Sequence, residues 1–563
     1  MGTKVVEIQD QTSRLTGLQL FIVFIGLNLA LLISFLDATS VSTALPDIAA
    51  ELKAGNSISW TGTSFLVANT GFQIITARLS DIFGRKVVLI GALALFGFGD
   101  LLCGFAKSEA WLYACRAIAG IGGGGINSLT MIILSDIVSI DKRAKYQGLL
   151  GISIALGSGI GPLIGGALSE RATWRWTFWF TVPLTIVTIV LIWFLLPLKH
   201  VTGGVKEKLL KIDWLGSMLS LAAIVLILVP ISGGGSLYGW ASPTFLALLI
   251  TGTFLAVVFL AVESKCARLP IMPLHIFRVP TVSLILLQTF FVGMIFYGGT
   301  FFTPIYLQNV LGYSPIMSGV IILPLVLTQV FSTSGVGFIV QMTDRLKPCI
   351  IAGFGIWLAG QAAQTVFGRN THVGVIVGVL FVQGVGVGAT LQIRTAISLV
   401  LAQASAEPID RAVVTGTRNF ARTSGGALGL AASNAILNNL FRKNLPASLP
   451  DDLRSSLLES VSNIPPDLDP AMREAILSAY NDALHWVFVY FAPVIGVCFL
   501  LCFFMKDQRL KSLNRPKESS NEKSLPSSPD SVSLSGDETA FSSRTTTITI
   551  PTNESRPSSR PQL

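Results

Sequence analysis

Two ionisable residues are notable because they lie inside long apolar stretches of the chain. Asp37 lies in an apolar run near residues 18–39, and Arg116 lies in another near residues 111–135. Ionisable side chains inside membrane helices are energetically costly and commonly mark ion or substrate pathways. Burial favours the neutral form of a carboxyl group, whereas a nearby cation favours the charged form. Asp37 is therefore a candidate for binding and releasing a proton; the alternative is a structural residue that caps the outer end of its helix.

Arg116 has two candidate partners at a similar depth in the predicted membrane. It lies about one to two turns below the outer end of its run, and Asp37 lies in the outer half of its own run. Asp100, in the preceding run, is also near this depth. A pair between Arg116 and Asp37 would serve proton coupling, whereas a pair with Asp100 would be mainly structural. The sequence leaves both pairings open.

A second set of charges lies between two apolar runs. It comprises Asp81, Gly84, Arg85 and Lys86 in the segment Asp-Ile-Phe-Gly-Arg-Lys. A carboxylate and two cations at a helix junction can form a network of charge-assisted hydrogen bonds. The alternative is that these cations are ordinary basic residues of a cytoplasmic loop.

A glycine-proline pattern occupies residues 157–166, with the sequence Gly-Ser-Gly-Ile-Gly-Pro-Leu-Ile-Gly-Gly. Glycines spaced four apart give a helix one smooth face that a neighbouring helix can approach closely. Pro162 has no backbone donor and can kink the helix. The pattern predicts a helix that can slide and bend against its neighbour, with general membrane packing as the alternative. Its defining residues are Gly157, Gly161, Pro162, Gly165 and Gly166.

A glycine-rich stretch at residues 120–125 literally matches the GxGxxG pattern of nucleotide-binding loops. That function requires a preceding strand and an acidic residue about 20 positions later. Because this stretch lies inside an apolar run, we interpret its glycines as helix-packing residues.

Apolar helices must position all of these residues. The 563-residue chain is 51% hydrophobic and 13% charged, with a mean hydropathy of +0.66, whereas soluble domains are about 25% charged. A helix of about 20 apolar residues crosses a bilayer core of about 30 Å. About fourteen such runs lie between residues 18 and 505. The chain is therefore predicted to be an all-α polytopic membrane protein.

Loop charge predicts the orientation of these helices. With the N-terminus in the cytoplasm, the short inner loops carry 16 basic residues and the short outer loops carry five. Basic loops face the cytoplasm, so both termini are predicted to be cytoplasmic. The net charge of +9 comes from these clusters between apolar runs, which argues against a nucleic-acid partner.

Two parts of the chain are related to each other. Gly120, Gly122 and Gly124 of the fourth run have the same spacing as the glycines at residues 384, 386 and 388 of the twelfth run. Related halves are typical of transporters, whose substrate site lies between the halves near the middle of the membrane. The seventh and eighth runs have no counterpart and resemble an inserted hairpin.

These motifs resemble those of the major facilitator superfamily, in its fourteen-span drug:proton antiporter branch and its fungal multidrug and toxin efflux pumps. The resemblance covers about Leu20 to Met505. Residues 157–166 match every defined position of the pattern Gly-x-x-x-Gly-Pro-x-x-Gly-Gly. Ala77 replaces the first glycine of Gly-x-Leu-x-Asp-x-x-Gly-Arg-Lys, and Ala119 replaces the glutamine of Arg-x-x-Gln-Gly-x-Gly-Gly.

The resemblance implies a major facilitator fold of two six-helix halves plus an inserted helix pair. It implies gating by Asp81, Gly84, Arg85 and Lys86, and it implies antiport from the intact fifth-run motif. The expected domains are a cytoplasmic tail at residues 1–17, halves at 18–200 and 271–510, a two-helix linker at 201–270, and a disordered cytoplasmic tail at 511–563. The second half includes a long outer loop at 441–482.

Polar or aromatic side chains within the runs are candidates for a substrate cavity, although each could instead form a hydrogen bond between helices. They are Asn69, Gln73, Gln288, Tyr297, Gln329, Gln361 and Gln383.

The sequence thus predicts a proton-coupled antiporter that exports small apolar or amphipathic compounds, such as drugs, toxins or secondary metabolites. It would require no cofactor or metal because the proton gradient drives it. Its expected partners are the small-molecule substrate, protons and the lipid bilayer, and we favour a monomer. The plasma membrane is the expected location, with the vacuolar membrane as an alternative. Alternative functions are proton-driven import of a siderophore or nutrient, and sensing by a non-transporting protein of transporter fold; no constellation of residues indicates an enzyme.

Overall fold

The computed structural model is almost entirely helical where it describes the chain. The described residues are 15, 17–54, 58, 60–138, 140–197, 212–234, 238–265, 272, 274, 277, 280–343, 345, 347–405, 411–450, 453–454, 456–457, 464–465 and 468–505. The predicted cytoplasmic tail at 511–563, most of the N-terminal tail and three short parts of the linker (201–211, 235–237 and 266–270) lie outside these residues.

Fourteen long helices occur in the described part of the chain, as the apolar runs predict. They are α1 (Gly17–Leu52), α2 (Trp60–Phe83), α3 (Arg85–Gly104), α4 (Glu109–Ile137), α5 (Ile140–Arg171), α6 (Trp176–Leu195, with a turn at Phe180), α7 (Trp214–Gly233), α8 (Pro243–Lys265), α9 (Pro280–Ile305, continued by a π-helical turn at Tyr306–Val310), α10 (Pro315–Thr343), α11 (Lys347–Gln364), α12 (Val373–Ser405), α13 (Arg411–Asn444) and α14 (Pro470–Phe503).

Eleven of these helices are long and apolar enough to cross a membrane. The other three, α2, α11 and α13, carry polar residues that are buried against other helices. Examples are Gln73 in α2, Gln361 in α11 and Asn419 in α13. A helix that is surrounded by protein needs less apolar surface than one that faces lipid. This explains why α2 has the weakest apolar signal in the first half of the sequence.

The helices form two sets with equivalent packing. In the first set α1 packs on α5, α2 on α4, α3 on α4, and both α1 and α3 on α6. In the second set α9 packs on α13, α10 on α12, α11 on α12, and both α9 and α11 on α14. The sets meet where α5 contacts α10 and α12, and where α2 contacts α13. The hairpin α7–α8 lies outside this pattern, and α7 packs on α2 and α13.

The repeated glycines have the same structural role in both sets. A Cβ atom on Gly122 would lie 2.5 Å from the backbone of Ala92 in α3, and one on Gly386 would lie 2.4 Å from the backbone of Trp357 in α11. Each glycine therefore permits close contact with the preceding helix. The packing interpretation of the GxGxxG match is thus supported by geometry.

The outer loop near residues 441–482 is helical at both ends. The helix α13 continues to Asn444, and α14 begins at Pro470. The two helices therefore occupy both ends of the region 441–482 that the sequence assigns to the outer loop. Pro470 occupies the first turn of α14, where its missing donor is not needed.

Candidate functional site

The centre of the candidate site is an ion cluster buried between helices. Arg116 in α4 donates from Nη1 to both carboxylate oxygens of Asp37 in α1, at 2.9 and 2.8 Å. The same Nη1 lies 3.5 Å from Oδ1 of Asp100 in α3. The three side chains are at most 1% exposed. Both pairings that the sequence left open are therefore present, and the one with Asp37 is closer.

Asp100 is held by a different helix. Thr181 of α6 donates a hydrogen bond to its Oδ2 at 2.8 Å. Its Oδ1 is buried and has no hydrogen-bond partner among the described atoms, since the 3.5 Å contact with Arg116 is an ion contact without hydrogen-bond geometry. The cluster thus contains two carboxyl groups and one guanidinium group.

Local packing explains how two helices bring these charges together. A Cβ atom on Gly99 in α3 would lie 2.5 Å from the backbone nitrogen of Ala119 in α4. Only a glycine permits this approach, which places Asp100 and Arg116 side by side. The Nε of Arg116 donates to the backbone oxygen of Thr61 in α2 at 3.2 Å. The cation is therefore anchored to a third helix.

A first cavity lies next to this cluster, between the two helix sets. Its lining residues come from α1, α2, α4, α5, α9 and α13, and it has about 90 Å³ of space that water could occupy. The candidates Asn69 and Tyr297 line it. Phe65 also lines the cavity, and its ring centroid lies 4.4 Å from the guanidinium carbon of Arg116. One ring thus separates the ion cluster from the cavity.

A second cavity adjoins the first and shares Ser158, Phe296 and Thr300 with it. It has about 70 Å³ of such space, and three of the candidate residues line it. They are Gln329, Gln361 and Gln383. Gln361 and Gln383 each donate to the side-chain oxygen of Gln364, at 2.7 and 2.8 Å.

Two other residues predicted for the substrate cavity form hydrogen bonds to neighbouring helices and do not line either cavity. Gln288 of α9 donates to the backbone oxygen of Cys498 in α14 at 3.1 Å. Gln73 of α2 donates to Asn69 and accepts from Thr423 of α13 at 3.4 Å. Their geometry matches the alternative of hydrogen bonds between helices.

A second charge cluster lies where α2 meets α3. Gly84 links the two helices with φ of 105°, a conformation that favours glycine. Arg85 lies 2.5 Å from Asp81 and 3.0 Å from Asp136, at the end of α4. Arg78 approaches Asp81 at 3.4 Å.

Asp136 is not predicted from the sequence, where its only signal is an acid at the end of an apolar run. Lys86, by contrast, has no ion pair in the described part of the chain and is partly exposed.

The glycine face of α5 packs against α1. A Cβ atom on Gly157 would lie 2.8 Å from Phe35, and one on Gly161 would overlap Thr39. Thr39 donates to the backbone oxygen of Gly157 at 3.1 Å. Thr43 donates at 3.1 Å to the backbone oxygen of Pro162. These contacts involve residues of α1 that precede and follow Asp37 in the sequence, so α5 packs on the part of α1 that carries this carboxylate.

Comparison with known proteins identifies the family. The model of the Major Facilitator Superfamily matches residues 27–430. The chain belongs to the major facilitator superfamily. It is 39% identical to Citrate exporter 1 of Yarrowia lipolytica over 509 residues, which cover 90% of this chain and 75% of that one. It is 33% identical to multidrug resistance protein fnx1 of Schizosaccharomyces pombe over 471 residues, covering 82% and 88%.

This facilitator also shares its fold with solved structures. The proton:xylose symporter XylE bound to 6-bromo-6-deoxy-D-glucose aligns with 88% of this chain and 98% of its own, with a TM-score of 0.55 and 13% identity. At that identity the likeness shows the fold alone. Membership of the superfamily, shown by the family model and the relatives above, makes the protein a multi-pass membrane transporter and not an enzyme.

The structure explains one departure of this facilitator from the family motifs. Ala77 of α2 replaces a glycine, but a Cβ atom on Gly416 in α13 would lie 2.9 Å from the Ala77 methyl group. The small residue that close approach requires is thus on the opposite helix.

Proposed function

We propose that this facilitator is a proton-coupled antiporter that exports small apolar or amphipathic compounds by alternating access. The observation that carries the proposal is the cluster of Asp37, Arg116 and Asp100 beside the first cavity. Two carboxyl groups share one guanidinium group at a site where all three side chains are buried. A net negative charge there is costly, and a bound proton removes it.

Asp37 is the group that we propose exchanges its proton for substrate. It belongs to α1, whose neighbouring residues Ala38 and Thr39 line the first cavity. Substrate in the first cavity would press the Phe65 ring against Arg116 and hold this cation close to Asp37. The close cation favours the charged carboxylate, so Asp37 would release its proton when substrate binds. When substrate leaves and the ring withdraws, Asp37 would lose part of its positive partner and bind a proton again.

Two other regions supply movement in this proposal. Asp81 and Arg85 latch the predicted cytoplasmic ends of α2, α3 and α4 through buried ion pairs. The glycine face of α5 lets this helix slide on α1, and Pro162 lets it bend. Rocking of the two helix sets would then expose the cavities to each side of the membrane in turn.

Export rests on the first two of the following observations, and the substrate class rests on the third. The glycine-proline motif of α5 is complete, and the family resemblance associates it with antiporters. One relative is named as a citrate exporter and another as a multidrug resistance protein. The cavities are lined by aromatic residues such as Phe35, Phe296 and Trp357, which suit apolar surfaces.

Location, driving force and assembly complete the proposal. We place the protein in the plasma membrane, with the vacuolar membrane as the alternative, and both termini in the cytoplasm. The proton gradient drives transport without a cofactor, and the working unit is a monomer.

The test is cellular accumulation of a panel of fluorescent or labelled apolar and amphipathic compounds, with and without this protein. We expect lower accumulation in cells that express it, and we expect a protonophore to restore accumulation. Higher accumulation would instead establish import of a nutrient or siderophore. A phenotype that depends on the C-terminal tail while no flux is found would favour a sensor.

A further inference from the structure

A second arginine, which is partly buried, has no role in the proposed proton exchange. Arg422 lies in α13, and its guanidinium carbon is 5.8 Å from the ring centroid of Phe35 in α1 of the other helix set. It lines a small recess with Phe296, Trp357 and Val387. These three residues also line the second cavity. Arg422 therefore lies between the two sets, at the edge of the space assigned to substrate.

This cation has no anionic partner among the residues that the structure describes. Its Nε is buried and has no hydrogen-bond partner among the described atoms, and no described carboxylate forms an ion pair with it. The helices α9 to α13 contain no Asp or Glu in their sequences. Arg418, one turn earlier, differs because it is buried and donates to Asn419 at 3.3 Å.

A charged group at this depth is costly unless an opposite charge compensates it. No described carboxylate pairs with Arg422, but a ligand in the adjoining cavity can supply the opposite charge. The Nε and a neighbouring Nη of a guanidinium group present two parallel donors that match the two oxygens of a carboxylate.

The remaining surface defines the rest of the ligand. The recess around Arg422 contains aliphatic and aromatic side chains, namely Ile154, Val292, Phe296, Trp357, Val387 and Leu391. A molecule with several charges would leave all but one of them unpaired against this surface. A molecule with one carboxylate joined to an apolar body would pair with the Arg422 guanidinium group and bury its apolar part against these side chains.

We infer that the substrate is an amphipathic carboxylate, bound with its carboxylate on Arg422 and its apolar body in the second cavity. This inference rests on the proposed function, because it names the substrate class of the same central site. It narrows the apolar or amphipathic class to molecules with one negative charge.

The test measures equilibrium binding to the purified full-length protein and does not depend on transport. The probes are dansyl-labelled undecanoic acid and its uncharged primary amide, followed by dansyl fluorescence. We expect the acid to bind the wild type at least about tenfold more tightly than the amide, since hydrogen bonds to charged groups contribute this much. Failure of proton-driven transport would overturn the proposed function without changing this comparison.

Variants of α13 assign the preference to one side chain. Arg422→Gln should weaken acid binding by about tenfold or more and leave amide binding unchanged, whereas Arg422→Lys should retain part of the preference. Arg442→Gln, at an exposed position of the same helix, should bind like the wild type. Equal binding of acid and amide to the wild type, or an undiminished preference in Arg422→Gln, would overturn the inference. The wild-type comparison decides the matter even if Arg422→Gln does not fold.

Discussion

At the residue scale, neighbouring residues of one motif have different environments. Asp81 is 4% exposed and contacts Arg85 at 2.5 Å, whereas Lys86 is partly exposed and has no ion pair among the described residues. Removing one partner of a buried ion pair leaves an uncompensated charge and costs about 3–5 kcal/mol. Exposed charges contribute much less.

We therefore predict that two substitutions in this motif lower the transport rate to different extents. Asp81→Asn should lower the transport rate by about tenfold or more, because a latch that loses about 1.4 kcal/mol shifts its equilibrium tenfold. Lys86→Gln should lower the rate less than about twofold, since an exposed charge contributes little. The measurement is initial export rate at matched expression. Equal loss in both variants would mean that general loop charge, and not the latch, controls transport.

The sequence could predict which charged residues are unusual, but not which side chains they contact. Asp37, Arg116 and Asp100 were recognisable because charges inside apolar runs are rare. Asp136 was not recognisable, because it lies at a helix end where acids are common, and its role depends on contact with Arg85. Arg422 was missed because the polar residues around it in α13 mask its unusual position. Compensation of Ala77 by Gly416 joins helices more than 300 positions apart, which no local pattern encodes.

At the element scale, the most demanding contact is between α1 and α5. Gly161 lies against Thr39 and the backbone of Leu36, and an added Cβ atom would overlap the Thr39 hydroxyl group. Glycine motifs permit such close contact between membrane helices. Because Asp37 lies on the same part of α1, any separation of the two helices would also displace the ion cluster.

A matched pair of glycine substitutions tests this contact. Gly161→Val should destabilise the protein by about 1–3 kcal/mol through overpacking and should abolish transport. Gly91→Val should have little effect, because Gly91 lies in α3 with no atom within 4 Å of its added Cβ position. Thermal unfolding in detergent and export rate are the two measurements. Wild-type transport by Gly161→Val would show that close contact between α1 and α5 is unnecessary.

The sequence predicted the elements themselves well, since run length and loop charge reflect the membrane directly. Fourteen helices appear where fourteen runs were marked. The ends were less accurate, and the outer loop is an example. Helices α13 and α14 extend beyond the apolar runs, because polar helical turns are stable where protein or water, and not lipid, surrounds them.

At the scale of the whole molecule, the proposed ion cluster and both cavities belong to the same space between the helix sets. The cluster lies within the first set, whereas the cavities have walls from both sets. Asn419 of α13 donates to the backbone oxygen of Asn127 in α4 at 3.2 Å. A change in the contact between the sets can therefore reach both the substrate and the proton-binding group, which is the requirement for coupled exchange.

A surface ion pair of α1 provides the control for this coupling. Glu51 accepts hydrogen bonds from Arg175 and Trp174 at 3.0 and 2.6 Å. These bonds lower the pKa of Glu51 below its usual value. Because its pKa is lowered, Glu51 remains ionised at neutral pH. It lies beyond the apolar part of its helix, so we expect it to have no role in the proposed proton exchange.

The most direct test is to measure proton movement and substrate export together in proteoliposomes that carry a pH gradient and an internal pH-sensitive dye. We predict that substrate drives proton movement through the wild type and through Glu51→Gln. Asp37→Asn should bind substrate but show no substrate-dependent proton movement, because its side chain cannot accept the exchanged proton, whereas Asp37→Glu should retain part of it. Substrate-dependent proton movement at the wild-type rate in Asp37→Asn would contradict the proposal that Asp37 couples protons to export.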